Sequence, residues 1–181
     1  KRIIKAVVPM HTFGLPMRIK ELVELCNSYN IIVVEDAAES LGSYQNNKHT
    51  GTFGLVGTLS FNGNKTITTG GGGMIITDNK LLAERAKYIT TTAKVPHPWD
   101  YHHDIRAYNY RLPNLNAALG CAQMESLPSY LKSKQKLARI YTNHFKENEA
   151  INFRTPIASS SSNFWLNAIE LKNLETRNNF L

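Results

Sequence analysis

The chain has only two cysteines in 181 residues, Cys26 and Cys121, and both fall in helix-like apolar stripes. That excludes a disulfide framework and reads as two buried free thiols. No apolar run approaches the roughly 20 residues that span a bilayer, and the opening residues carry no leader pattern. The expected location is therefore cytoplasmic. No G-K-[ST] follows the glycines at Gly70–Gly73, which rules out a Walker loop. No G-x-S-x-G elbow is present, so that kind of serine hydrolase is excluded. His97, His102, His103 and Asp104 share a stretch but match no common zinc spacing, and no metal is expected. There is no internal repeat. Nor is there a block of one charge, although the net charge is +7. The densest basic cluster, Lys132 to Arg139, alternates with apolar residues flanked by Leu131 and Ile140. It reads as a solvated helix face, not a nucleic-acid surface. Attraction of an anionic small substrate is the milder use of the same charge.

What is present is a βαβ pattern. Ile3 to Val8 reads as a strand, Arg18 to Tyr29 as a helix with Ile19, Leu22, Val23 and Cys26 on one face, and Ile31 to Val34 as a second strand. Strand, helix and strand in this order give parallel pairing, and continuous apolar strands predict a sheet covered on both faces. Thr58 to Phe61 and Met74 to Thr77 are short strands flanking a polar turn. Leu81 to Ile89 is a helix, and Lys94 to Tyr108 a long irregular loop of the kind that often carries function. Two helices are expected next, Asn114 to Ser126 and Pro128 to Glu147. Ser159 to Ser162 reads as a polar linker, and Phe164 to Leu171 as a weakly alternating strand.

The chemistry lies at strand ends. Ile31-Ile32-Val33-Val34-Glu35-Asp36 is an apolar run closing on carboxylates, and ligands of α/β sheets bind outside the carboxyl ends of strands. In the run from Leu59 to Thr69 a polar turn presents Lys65 just ahead of four glycines. A lysine and an aspartate, each just past a strand, are what pyridoxal phosphate (PLP) requires. The lysine makes the covalent imine bond, and the aspartate keeps the pyridine nitrogen protonated. Plainer readings stand beside these. Asp36 before Ala37-Ala38 can cap a helix, with Glu39 as capping-box partner. Lys65 can be an exposed loop lysine, Ser60 a small strand-edge residue, and the glycines a turn with positive φ.

Taken together, several segments resemble the sugar aminotransferases of the DegT/DnrJ/EryC1/StrS family. They are Val33-Val34-Glu35-Asp36-Ala37-Ala38-Glu39-Ser40-Leu41-Gly42, His49-Thr50-Gly51-Thr52-Phe53-Gly54, Ser60-Phe61-Asn62-Gly63-Asn64-Lys65, Gly70-Gly71-Gly72-Gly73-Met74 and Tyr108-Asn109-Tyr110-Arg111. The resemblance implies an α/β chain, the large domain of a fold-type-I PLP-dependent transferase, with a mostly parallel sheet flanked by helices. Family members are longer. Residues 1–157 are therefore expected to be the central and C-terminal part of the PLP-binding large domain, residues 158–181 the start of the small C-terminal domain, and the N-terminal part of the large domain absent.

By that resemblance Lys65 is the catalytic lysine that bonds the cofactor, and Asp36 pairs with its pyridine nitrogen. Glu39 lies near its 3-hydroxyl, and Ser60 binds its phosphate. Asn109 reaches the phosphate of a partner subunit's cofactor, so a homodimer is expected. His11 and Arg111 are candidate substrate-binding residues. The implied activity is amination of a nucleotide-linked 4-keto-6-deoxy sugar, with glutamate as amino donor, for surface polysaccharide or nonulosonic acid synthesis. Residues 92–99 and 163–168 look most like the branch acting on UDP-linked N-acetyl sugars, of legionaminic acid and bacillosamine type. The GDP-perosamine branch shares Glu39 and Asn62-Gly63-Asn64-Lys65. Leu55 stands where the family has an acidic residue, and Arg106-Ala107 where it has an apolar residue and glycine. A same-fold sugar dehydratase carries histidine in place of the lysine, so Lys65 speaks against it. A non-catalytic relative that keeps the fold is the remaining alternative.

Overall fold

A computed structural model describes residues 3–181; the opening strand expected from Ile3 to Val8 shortens to Ala6–Val7. In chain order the elements are β1 (Ala6–Val7), α1 (Ile19–Ser28), β2 (Ile32–Asp36), β3 (Tyr44–Gln45), β4 (Lys48–His49), β5 (Val56–Ser60), β6 (Gly73–Ile76), α2 (Lys80–Thr90), α3 (Asn114–Phe145), β7 (Ile151–Phe153), β8 (Ser160–Ser161), β9 (Ile169–Leu171) and α4 (Leu174–Phe180). The central sheet runs β1-β2-β5-β6. The first two pairings are parallel, with Val7 opposite Val33 and Asp36 opposite Thr58. The third is antiparallel, with Ser60 opposite Gly73. β2 and β5 thus run side by side and end at the same edge, carrying Asp36 and Ser60 there.

Two apolar cores hold this edge. In the first, the stripe of α1 lies on the sheet, with Ile19 and Cys26 buried against Val33. In the second, α3 brings Leu127 onto Phe61 and Ile67, with Leu41, Leu59, Tyr130 and Leu131 around them. Phe61 and Ile67 bracket the turn that carries Lys65. Burying side chains of this size contributes about 1.5–3 kcal/mol each, so the turn is anchored at both ends.

The structure corrects several expectations. The sheet is less completely covered than continuous apolar strands predict: Ile32, Met74 and Ile75 remain about half exposed. Cys121 is exposed while Cys26 is buried. The two helices expected after residue 114 are one, with Pro128 inside it. Proline removes a single helical hydrogen bond and costs about 3 kcal/mol, and the packing of Leu127 and Leu131 on either side of it holds the helix together. The serines at 159–162 are not a free linker. Ser160 and Ser161 pair with β3, and Ser162 and Asn163 are buried. The strand expected from Phe164 shrinks to Ile169–Leu171, because Phe164 has a positive φ of 47° and turns the chain. No helix is long and apolar enough to cross a membrane among the described residues.

Candidate active site

Lys65 is delivered by the tight turn after β5. Its backbone N–H donates to the Asn62 carbonyl at 3.1 Å, and Thr69 N–H closes the loop onto the Phe61 carbonyl at 3.0 Å. The Lys65 side chain is 14% exposed and its Nζ stands 3.8 Å from Oε1 of Glu39, itself 17% exposed. Glu39 is fixed from the other side, since its Oε2 accepts the Phe13 N–H at 2.7 Å. The indole of Trp165 lies across the lysine, with Nζ 4.0 Å from the ring centroid.

Asp36 closes β2. Its backbone is clamped between the Pro9 carbonyl and the His11 N–H, and its Oδ1 accepts the Ala38 N–H at 3.2 Å. That is the local turn-capping bond expected of aspartate at such a site, and it uses one of the two carboxylate oxygens. Ser60 Oγ receives only a long contact from the Asn62 N–H, 3.4 Å, so its hydroxyl is free to donate. Asp36, Glu39, Ser60 and Lys65 therefore share one end of the sheet. A cation, two carboxylates and a hydroxyl, all with unspent bonding capacity, can hold a small anionic aromatic carbonyl compound.

Asn109 and Arg111 lie elsewhere. Asn109 pairs with Thr91 in an isolated bridge, and its side-chain oxygen accepts from Arg111 Nε at 3.0 Å. Both are exposed and joined to each other. His11 lies inside the protein. It is fully buried, with Nδ1 accepting the Met17 N–H at 3.3 Å and Nε2 bonded to Glu35 at 3.0 Å. Both ring nitrogens are spent inside the protein.

Four residues gain a place here that the sequence did not assign. Glu35 is buried and accepts from the backbone N–H groups of Gly51, Phe53 and Gly54 as well as bonding His11. Burial would raise its pKa, but the His11 bond and the Gly54 and Gly51 donors outweigh that and hold it below the ordinary carboxylate value. The two-residue period of β2, which turns Glu35 to the same side as Val33, was the available signal. Asn163 is also buried, its amide donating to the carbonyls of Glu39 and Leu41. Gly14, at φ +86°, must be glycine, because a Cβ there would stand 1.8 Å from the Asn163 side-chain oxygen. Lys134 reaches from α3 to the Trp165 carbonyl at 3.2 Å, and burial lowers its pKa. These long-range partners had no local sequence signal.

The profile of the DegT/DnrJ/EryC1/StrS aminotransferase family matches residues 1–181. GDP-perosamine synthase of Escherichia coli O157:H7 is 37% identical over 173 residues, 96% of this chain and 47% of that protein. The Vibrio cholerae GDP-perosamine synthase is 41% identical over 137 residues, 76% of this chain and 37% of its own. Among solved structures, Helicobacter pylori PseC, an aminotransferase involved in pseudaminic acid biosynthesis, superposes with a TM-score of 0.91 at 25% identity, covering 98% of this chain and 48% of PseC. The chain thus spans about half the length of the relatives it matches or less. With the full-length family match and the α/β fold shared with PseC, the chain belongs to the DegT/DnrJ/EryC1/StrS aminotransferase family.

Proposed function

We propose that this chain carries the PLP-binding core of an aminotransferase acting on a nucleotide-linked 4-keto-6-deoxy sugar, with glutamate as amino donor. The observation that carries the reading is the Lys65 amine, partly buried beside Glu39, at the sheet edge where the strands carrying Asp36 and Ser60 end. The donor set suits PLP: an amine for its carbonyl, a carboxylate for its ring nitrogen, a hydroxyl for its phosphate. When bound, PLP supplies an electron sink that stabilises negative charge at the carbon losing its proton. The protein's part is to place groups. Asp36 offers its free oxygen to the ring N–H, Ser60 donates its Oγ–H to a phosphate oxygen, and Lys65 Nζ moves a proton as general base and acid.

Two nucleotide sugars compete. Residues 92–99 and 163–168 favour a UDP-linked N-acetyl sugar, whereas 37–41% identity to GDP-perosamine synthases favours a GDP-linked one. The test is to load the full-length protein with PLP, fix it with borohydride and map the label, then offer glutamate with each keto-sugar. Pyridoxyl on Lys65 and amination of one sugar support the reading. Pyridoxyl on Lys48 or Lys94, or no uptake, sinks it.

The same reading extends to a two-fold dimer with Asn109 acting across the interface. Mixing Lys65→Ala with Asn109→Ala subunits then restores activity in part, since half the sites of a mixed dimer carry neither lesion. No recovery, with subunit exchange demonstrated, removes the shared site and leaves Asn109 as a partner of Arg111 alone.

A further inference from the structure

We infer that Trp165 is a positioning residue for Lys65, its indole face holding the lysine ammonium at the site whenever the nitrogen carries no other bond. The inference rests on the reading of Lys65 given above. The lysine makes no side-chain hydrogen bond among the described residues; its nearest charge, Glu39, is 3.8 Å away, beyond hydrogen-bond reach. The ring centroid at 4.0 Å is the close contact. A π face attracts an ammonium without supplying a lone pair in a fixed direction. It therefore orients the nitrogen, and no directional bond has to break when the lysine swings to a carbonyl.

The ring itself is not free to swing. Its Nε1–H donates to the Asn64 carbonyl at 2.6 Å, tying it to the residue just before the lysine. Its backbone N–H donates to the Asn163 side-chain oxygen at 2.8 Å, and its carbonyl accepts from Lys134 Nζ at 3.2 Å. Asn163 in turn grips the Glu39 carbonyl, so one buried amide fixes both neighbours of the Lys65 nitrogen. Phe164, held at φ +47° with its N–H on Ser162 Oγ, makes the turn that presents the indole. A segment about a hundred residues downstream thereby sets where the lysine stands.

The test labels the PLP-free full-length protein with acetic anhydride at neutral pH and compares Lys65 with the exposed Lys80 by mass spectrometry. Wild type, Trp165→Leu and Trp165→Phe are run together. Lys65 labelling is expected to rise about three- to tenfold in Trp165→Leu, the size of one partly buried cation–π contact, with Lys80 unchanged. Phenylalanine restores most of the protection, because it returns a ring face where leucine returns only bulk. Equal labelling of Lys65 in all three overturns the inference, as does leucine protecting as well as phenylalanine. If Trp165→Leu fails to fold, Lys65→Met reads the contact from the ring. The emission difference between Trp165 and Trp165→Phe proteins then changes when the ammonium is removed, and an unchanged difference overturns the inference. Borohydride mapping separates the two levels. Pyridoxyl on another lysine overturns the reading of Lys65 and this inference with it, whereas pyridoxyl on Lys65 with flat labelling overturns the positioning role alone.

Discussion

Glu35 and Asp36 are consecutive carboxylates on one strand, and the pleat sends them to opposite environments. Glu35 faces inward and spends both oxygens, on His11 and on three backbone N–H groups of the Gly51–Gly54 turn. Asp36 stands at the edge and spends one oxygen on the neighbouring Ala38 N–H. The same functional group thus serves as an anchor at one position and as an available acceptor at the next. Saturation separates the two roles: a carboxylate with every lone pair used can only hold structure, and one with an oxygen left over can meet a ligand. The Lys65 side of the edge follows the second pattern, held by Glu39 and Trp165 without a hydrogen bond to its nitrogen.

The largest effect is expected on the anchor. Glu35→Ala leaves His11 and three buried N–H groups without their acceptor. Buried donors left unpaired cost about 1–3 kcal/mol each, so a loss of several kcal/mol is expected, read as a drop in unfolding free energy by urea denaturation. The protein that remains folded should still take up PLP on Lys65. A loss below about 1 kcal/mol, the range of a surface ion pair, would show that the Glu35 network is not the anchor described here.

Asp36→Asn is expected to do the reverse. Losing one ionic hydrogen bond costs about 1.5–3 kcal/mol, so turnover should fall roughly 10- to 100-fold while the melting temperature stays close to wild type. Near-normal turnover would reduce Asp36 to a turn cap and erase the contrast with Glu35. A large drop in melting temperature would place both carboxylates in the anchor.

Much of this contrast was readable beforehand. The strand run ending at Asp36 and the polar turn carrying Lys65 are local patterns, and local patterns survive into the structure because apolar periodicity decides which face is buried. Glu35 was visible as a carboxylate in an apolar run, but its partners lie 16 to 24 residues away, and no spacing rule announces them. The burial of His11 was hidden for the same reason: a loop histidine looks accessible until its two partners are known. Asn163 and Trp165 were harder still. They sit just past four serines that read as a linker, and a polar run is a linker only if nothing receives its hydrogen bonds. Here Ser43 Oγ, the Gly14 carbonyl and the Glu39 carbonyl do. Pro128 misled in the opposite direction, since the local cost of proline is smaller than the packing its neighbours gain on Phe61 and Ile67.

The smallest expected effect sharpens the comparison by pH. His49 lies on the anchor side: its Nε2 accepts the Gly42 N–H at 2.8 Å, while its Nδ1 bonds the Thr50 carbonyl at 2.5 Å. Nδ1 therefore carries the proton and Nε2 must stay bare, because a second proton would face the Gly42 N–H. Burial lowers its pKa from the ordinary 6.5. The unfolded chain then takes up the proton first as pH falls, so the folded state loses stability from about 6.5 downward, at no more than about 1.4 kcal/mol per pH unit for one site. Glu35 acts lower. Burial pushes its carboxyl up, but its hydrogen bonds prevail and hold it under 4.5. Its stabilising contribution is thus present above 4.5 and lost as pH falls through its folded value. Acid unfolding should accordingly proceed in two stages, a shallow loss beginning below 6.5 and a steeper one below 4.5. His49→Gln keeps an acceptor for Gly42 but cannot take up the proton, so it should flatten the first stage and leave the second. Denaturation midpoints measured across that interval decide the matter: a first stage that persists in His49→Gln would assign it to a group outside the anchor.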